Sequence, residues 1–256
     1  MNKPDTTADE VLTERRGRVM LITLNRPDAL NAINQAVATG VVEAIEELDS
    51  DPGLTAAVLT GAGRGFCSGM DLKEFAKTGT PDGFERFLES GSTKPLIAAV
   101  EGFALAGGFE IVLTCDLVVA AQGAKFGVPE ARVGLFAAGG ALFRLPTRVG
   151  FGKAMEMALT ADPITAEDAQ GYGLVAEVTT AGGAVEAALA LAERIARNAP
   201  LAVAASKDIV REAQGRTEAE CWEYQKQHAR VVFRSEDSRE GPRAFAEKRA
   251  PNWTGT

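Results

Sequence analysis

Apolar positions dominate Arg18–Leu24 (RVMLITL), which reads as a strand. Val37, Val41, Ile45 and Leu48 then recur at helical spacing, in a stripe that should stop near Asp51-Pro52. Short apolar runs at Thr55–Leu59, Leu96–Val100 and Leu117–Ala121 read as buried strands. Between the last two, Gly107–Cys115 has the length of a helix. This alternation of strand and helix predicts an α/β core with largely parallel strands.

After about Ala141 the strand signal fades. Val185, Ala188, Leu189, Ala192 and Ile195 form an apolar stripe ended by Asn198-Ala-Pro200, and Pro200 is suited to open the next helix. Thr217-Glu-Ala-Glu220 has the pattern of a capping box before a helix reaching Phe233. The pattern divides the chain into a core, residues 1–199, and a helical region, residues 200–256. Acidic and basic residues balance from Thr217 to Arg249, which suits packing or assembly better than the core chemistry.

Composition then narrows the class. With 256 residues, 46% of them hydrophobic, the chain can bury a large core, and intrinsic disorder is excluded. A formal charge of −8 argues against nucleic acid as the main partner. Cys67, Cys115 and Cys221 lie far apart with no CxxC pair, against a disulfide framework or a zinc site. No run approaches the roughly 18 apolar residues of a membrane span, and MNKPDTTADEVLTERRG lacks the apolar core of a signal peptide. A cytoplasmic or organelle-matrix enzyme is the expectation.

Familiar nucleotide and nucleophile motifs fail on inspection. Gly61-Ala-Gly63-Arg-Gly65 is followed by Phe66 where a dinucleotide fingerprint needs glycine, and no Walker pattern exists. Ser68 lacks the flanking glycines of a nucleophile elbow. His228, the single histidine, sits in a charged helical stretch and reads as a surface residue.

Carboxylates remain. Glu110 is the ionisable residue of the apolar stretch GFALAGGFEIVL, so it is either paired, helped by the start of its helix, or functional. Glu130, after Lys125-Phe-Gly-Val-Pro129, is on its own an ordinary loop glutamate. Gly107-Gly108 opens the Glu110 helix, and the Ser68-Gly69-Met70-Asp71 turn starts another helical piece. Two such corners after neighbouring strands can aim backbone N–H groups into one pocket, or can be plain strand-to-helix turns.

Taken together, NRPDALNAIN (25–34), GAGRGFCSGMDLKEF (61–75), KPLIAAVEGFALAGGFEIVLTCD (94–116), AKFGVPEARVGL (124–135) and SEDSREGPRAFAEKRAPNW (235–253) resemble the crotonase superfamily, specifically its enoyl-CoA hydratases. The resemblance covers nearly the whole chain. It implies a spiral of ββα units followed by helices that assemble a homotrimer or a homohexamer. It also implies an oxyanion hole from the N–H groups of Met70 and Gly107, with Glu110 activating water and Glu130 protonating Cα. Substrate contacts are implied at Met70, Asp71, Leu72, Lys73, Gly107 and Ala138, and at Phe245 and Lys248, which would reach a neighbouring subunit's ligand. The implied substrate is an acyl-CoA thioester, with coenzyme A part of that substrate and no metal or separate cofactor.

The pattern departs from the family's in two places. Ala106 fills the first place of the usual glycine triplet before Glu110, and Phe136-Ala-Ala-Gly-Gly140 replaces a segment that normally reads like PGAGG, putting Ala138 where the backbone helps hold the water. Phe109 and GGALFRLP (139–146) also resemble carnitinyl-CoA dehydratases. Three readings follow: an enoyl-CoA hydratase or carnitinyl-CoA dehydratase-like enzyme, an enoyl-CoA isomerase relying mainly on Glu130, and a non-catalytic acyl-CoA-binding oligomer.

Overall fold

The computed structural model describes residues 9–256; residues 1–8, part of the stretch read as lacking a signal-peptide core, lie outside the described residues. Strand β1 (Val11–Arg16) turns through Gly17 into β2 (Val19–Leu24), its antiparallel partner. A short 3-10 turn, Pro27–Ala29, leads to α1 (Gln35–Ser50), whose first turn is capped by the Asn34 side chain accepting from Val37 N–H. β3 (Ala56–Gly61) follows, then α2 (Leu72–Thr78) and α3 (Phe84–Ser90).

Next come β4 (Leu96–Val100), β5 (Phe103–Leu105), α4 (Gly107–Thr114), β6 (Leu117–Ala121) and β7 (Lys125–Gly127). A second 3-10 turn, Pro129–Val133, precedes α5 (Ala141–Val149) and α6 (Phe151–Thr160). Two further strands, β8 (Ile164–Thr165) and β9 (Glu177–Thr179), flank α7 (Ala166–Gly171). The chain ends in α8 (Ala184–Ala196), α9 (Pro200–Glu212), α10 (Glu218–Val232) and α11 (Glu236–Glu247).

The larger sheet has the order β1-β2-β3-β4-β6-β9, parallel from β2 onward, and a smaller sheet has the order β5-β7-β8. β4 and β6 each hand over to a short strand of the other sheet before the chain turns helical, as in β4-β5-α4. Successive side chains of the large sheet alternate between two apolar layers. Ile22, Leu59, Ala98 and Val118 face one layer with α1 and α4, while Leu21, Val58, Ile97 and Val119 face α8 through Ala188 and Ala192. Burial on both faces explains why these strands appear in the sequence as continuous apolar runs.

The sequence pattern missed β1, an exposed edge strand with no buried face to impose alternation. It also missed β5, β7, β8 and β9, which are too short to carry a period. The last two lie beyond Ala141, where the strand signal of the sequence fades. Thr217 and Glu220 do form the capping box at the start of α10. Among the described residues no helix is long and apolar enough to cross a membrane.

Candidate active site

Five segments converge at the N-terminus of α4. The Met70 corner follows β3 and is held from outside by Ile33, whose N–H donates to the Gly69 carbonyl at 2.8 Å. The Ile33 carbonyl in turn accepts from Asp71 N–H, also at 2.8 Å. These two bonds bracket Met70, whose own N–H donates to no protein acceptor among the described residues. Asp71 then caps α2, accepting from Lys73 and Glu74 N–H, and pairs with Arg26 at 3.3 Å. Its carboxylate therefore faces the protein's own donors. Arg26 also binds the Ala32 carbonyl at 2.6 Å, and buried Asn31 ties the same loop to the carbonyls of Ala62 and Gly65 at 2.9 Å. The corner is thus rigidly framed.

Gly107 is the first residue of α4, so its N–H has no partner within the helix. A β-carbon on Gly69 would lie 3.3 Å from Gly107 N, and one on Gly107 would lie 3.6 Å from Met70 N. The two unspent N–H groups are neighbours, and the positive end of the α4 dipole stands behind them. The preceding residue, Ala106, holds φ +50° and ψ −129°, a backbone region disfavoured for residues with a side chain.

Glu110 sits one turn into α4 and is only 6% exposed. Its Oε1 accepts from Ala141 N–H at 3.3 Å, at the start of α5. Burial pushes this carboxyl above the ordinary carboxylate value, while the Ala141 and Gly139 amides and the Arg144 charge pull it back. Glu130 lies half-buried in the second 3-10 turn, and its Oε2 is shielded from solvent without a hydrogen-bond partner. Burial raises Glu130 to about 6, and the nearby charge of Glu110 adds to the shift. Two carboxylates near enough to influence one another therefore have different supports: amides and a cation around Glu110, none of these pulling Glu130 down from another residue.

The structure brings Met70, Gly107, Glu110 and Glu130 together with the loop bearing Ala138, which is exposed and whose amide donates to no protein acceptor among the described residues. Leu72 and Lys73 are exposed at the start of α2. Phe245 on α11 is 87% exposed, and Lys248 is that helix's C-cap; no hydrogen bond or ion pair joins either side chain to these segments among the described residues. His228 differs from the surface residue expected: it is half-buried, 2.8 Å from Asp208 across α9 and α10. Among the described residues no group of three His, Cys, Asp or Glu side chains converges as a metal site. Sequence reasoning missed Arg26, Asn31, Gly139 and Arg144, whose partners lie at long chain separations.

A mixed α/β fold of one large, mostly parallel sheet and a second small one, with this pocket at one helix N-terminus, defines a class. The chain belongs to the enoyl-CoA hydratase/isomerase family, whose model matches residues 14–256. It is 42% identical to enoyl-CoA hydratase EchA19 of Mycobacterium tuberculosis, over 95% of this chain and 96% of that protein. It is 40% identical to a carnitinyl-CoA dehydratase of Salmonella typhi, over 94% of this chain and 97% of the other. The crystal structure of enoyl-CoA hydratase EchA1 from Mycobacterium marinum superposes with a TM-score of 0.92 at 49% identity, covering 97% of this chain and all of that one (100%).

Proposed function

We propose that this protein catalyses reversible addition of water to a trans-2-enoyl-CoA thioester, giving the 3-hydroxyacyl-CoA, with Glu110 and Glu130 as its two proton-transfer groups. The observation that carries this reading is the unequal environment of the two carboxylates beside a pair of unspent backbone N–H groups. Glu110, supported by two amides and a cation, is the one suited to remain ionised and take a proton from water. The oxygen then bonds to Cβ, and the π electrons move through Cα to the thioester oxygen.

The N–H groups of Met70 and Gly107 stabilise that enolate oxygen; in such sites one donor is worth roughly 10²–10³ in rate. Glu130, raised to about 6, delivers the proton to Cα. Covering the pocket with the acyl group removes further solvent from Glu130 and favours its protonated form. Each turnover leaves Glu110 protonated and Glu130 ionised, and exchange with solvent resets them. Coenzyme A enters as part of the substrate. Lys73, exposed at the start of α2, would offer positive charge to its phosphates, and Ala138 N–H would hold the water.

We further assign residues 200–256 to assembly of three or six copies, a reading supported by exposed apolar side chains such as Phe233 and Phe245, 78% and 87% exposed. In that assembly Phe245 and Lys248 would meet a neighbour's ligand.

The deciding experiment is loss of the conjugated enoyl-thioester absorbance with crotonyl-CoA, a medium-chain 2-enoyl-CoA and crotonobetainyl-CoA. The third substrate is included because of the likeness to a carnitinyl-CoA dehydratase. Turnover of at least one, reduced about 10²-fold or more by Glu130→Gln and by Glu110→Gln, is the expected result. Binding of all three without turnover would overturn the hydratase reading, and a 3-enoyl-CoA assay would then separate isomerase from binding protein.

A further inference from the structure

Arg144, on α5, has four acceptors for its guanidinium, none of them a carboxylate. One arm reaches the Gly139 carbonyl at 3.3 Å and the Thr114 hydroxyl at 3.4 Å. The other binds the Leu88 carbonyl and, at 3.3 Å, the Glu89 carbonyl. Leu88 and Glu89 close α3, and Thr114 closes α4, so the cation sits at the negative ends of two helices. No ion pair with a carboxylate forms at Arg144 among the described residues.

Two of these contacts, those to Thr114 and Gly139, lead back to Glu110. Thr114 donates its hydroxyl to the Glu110 carbonyl at 2.9 Å, one turn back along α4. Gly139 and Ala141, on either side of the turn that Arg144 clasps, supply the amides facing the Glu110 carboxylate. Gly140 stands at φ +105°, and a β-carbon there would lie 2.5 Å from the Arg144 guanidinium, so loop and cation are closely fitted.

We infer that Arg144 is the positioning residue that sets Glu110 apart from Glu130: it clamps the Gly139–Ala141 turn onto the Glu110 carboxylate and turns an unneutralised positive charge toward it. This inference rests on reading Glu110 as the base that activates water.

The neighbouring charges are otherwise engaged. Lys207 and Arg211 on α9 face Asp116 at 2.7 and 3.8 Å, and Arg148 donates to the Cys115 and Asp116 carbonyls. Arg148 and Arg211 both press on Arg144 from their side, whereas Glu110 and Glu89 attract it. Glu130 faces Glu110 as a like charge. Removing the Arg144 charge leaves Glu110 with desolvation, Glu130 and only two amides.

The test compares Arg144→Gln and Arg144→Lys with the wild-type protein in two readouts. One is the pH profile of thioester hydration. The other is the titration of Glu110 in the resting protein by carbon-13 carboxyl NMR, assigned by the signal that Glu110→Gln removes. In Arg144→Gln, kcat should fall about 10- to 100-fold with KM changed less than about threefold. The acid limb and the Glu110 titration should both move up by about half a pH unit or more. Arg144→Lys retains the charge, so it should keep the wild-type limb while losing part of kcat with the forked contacts.

An unmoved Glu110 titration in correctly assembled Arg144→Gln overturns the inference, as does a Lys variant whose acid limb shifts like that of Gln. Should Arg144→Gln fail to fold, the Lys variant decides alone. Should the wild-type protein hydrate no thioester, the functional reading falls while the titration still judges the Arg144–Glu110 coupling.

Discussion

Glu110 and Gly139 are packed so closely that a β-carbon on the glycine would stand 2.6 Å from Glu110 Oε2 and 2.8 Å from its carboxyl carbon. Leu88 Cδ1 closes the other side at 2.8 Å. Glycine is required here by space rather than by backbone angle, since Gly139 is not among the positive-φ residues. Gly139→Ala should therefore displace the carboxylate, and kcat should drop at least about tenfold while subunit assembly is retained, as read by initial rates and sedimentation.

Stability should depend on pH through Glu130. Its carboxyl is raised in the folded state to about 6, so the folded protein holds this proton more tightly than the unfolded chain does. The contribution to stability is thus complete at low pH and is lost as pH rises through about 6. Glu130→Gln removes the buried negative charge and should raise stability at pH 8 by about 1 kcal/mol, after discounting for the group's partial exposure. Melting temperatures at equal protomer concentration should differ from wild type by a few degrees at pH 8 and by progressively less as the pH is lowered toward the ordinary glutamate value of 4.5.

Ala106 holds φ +50°, where glycine would sit without strain. Ala106→Gly should stabilise the fold by about 0.5–1 kcal/mol, the relief being partly offset by the freer unfolded chain. Because Gly107 N–H keeps its place, turnover should stay within about twofold of wild type. Chemical denaturation and steady-state rates check both halves of this expectation.

Gly107→Pro deletes one N–H at a helix position that tolerates proline. The expected loss is about 10²-fold or more in kcat, with CoA-ester binding retained. Gly107→Ala is the control: its new methyl would press on the flexible tip of Ile33, at 3.1 Å, and make ordinary contacts with Met70 N and Gly69 Cα at 3.6 and 3.7 Å, and should cost far less. Similar rates in the two variants would remove Gly107 from the oxyanion hole.

At micromolar concentration the mass in solution should correspond to three or six subunits. A monomeric mass with the exposed Phe233 and Phe245 still in water would remove the assembly role assigned to residues 200–256.

Glu110 was conspicuous in the sequence because a lone charge inside GFALAGGFEIVL has no local partner, and Gly107-Gly108 marked the start of its helix. The parallel core was equally visible, since strands buried on both faces leave unbroken apolar runs such as LIAAV and LVVAA. Short strands such as β8 and the exposed edge β1 were invisible, because pairing with neighbours rather than side-chain period defines them.

By itself the sequence determined the α/β layering, the helix starts at Gly107, Pro200 and Thr217, and which carboxylates merit attention, because burial pattern, turn chemistry and capping are local properties. Only the tertiary structure decided how those carboxylates differ. Glu110 and Arg144 are far apart along the chain, as are Ile33 and Met70, and electrostatic support acts through space. Both glutamates are desolvated, and the division into one supported by amides and a cation and one without such support from other residues therefore arises when α3, α4 and α5 close around one pocket.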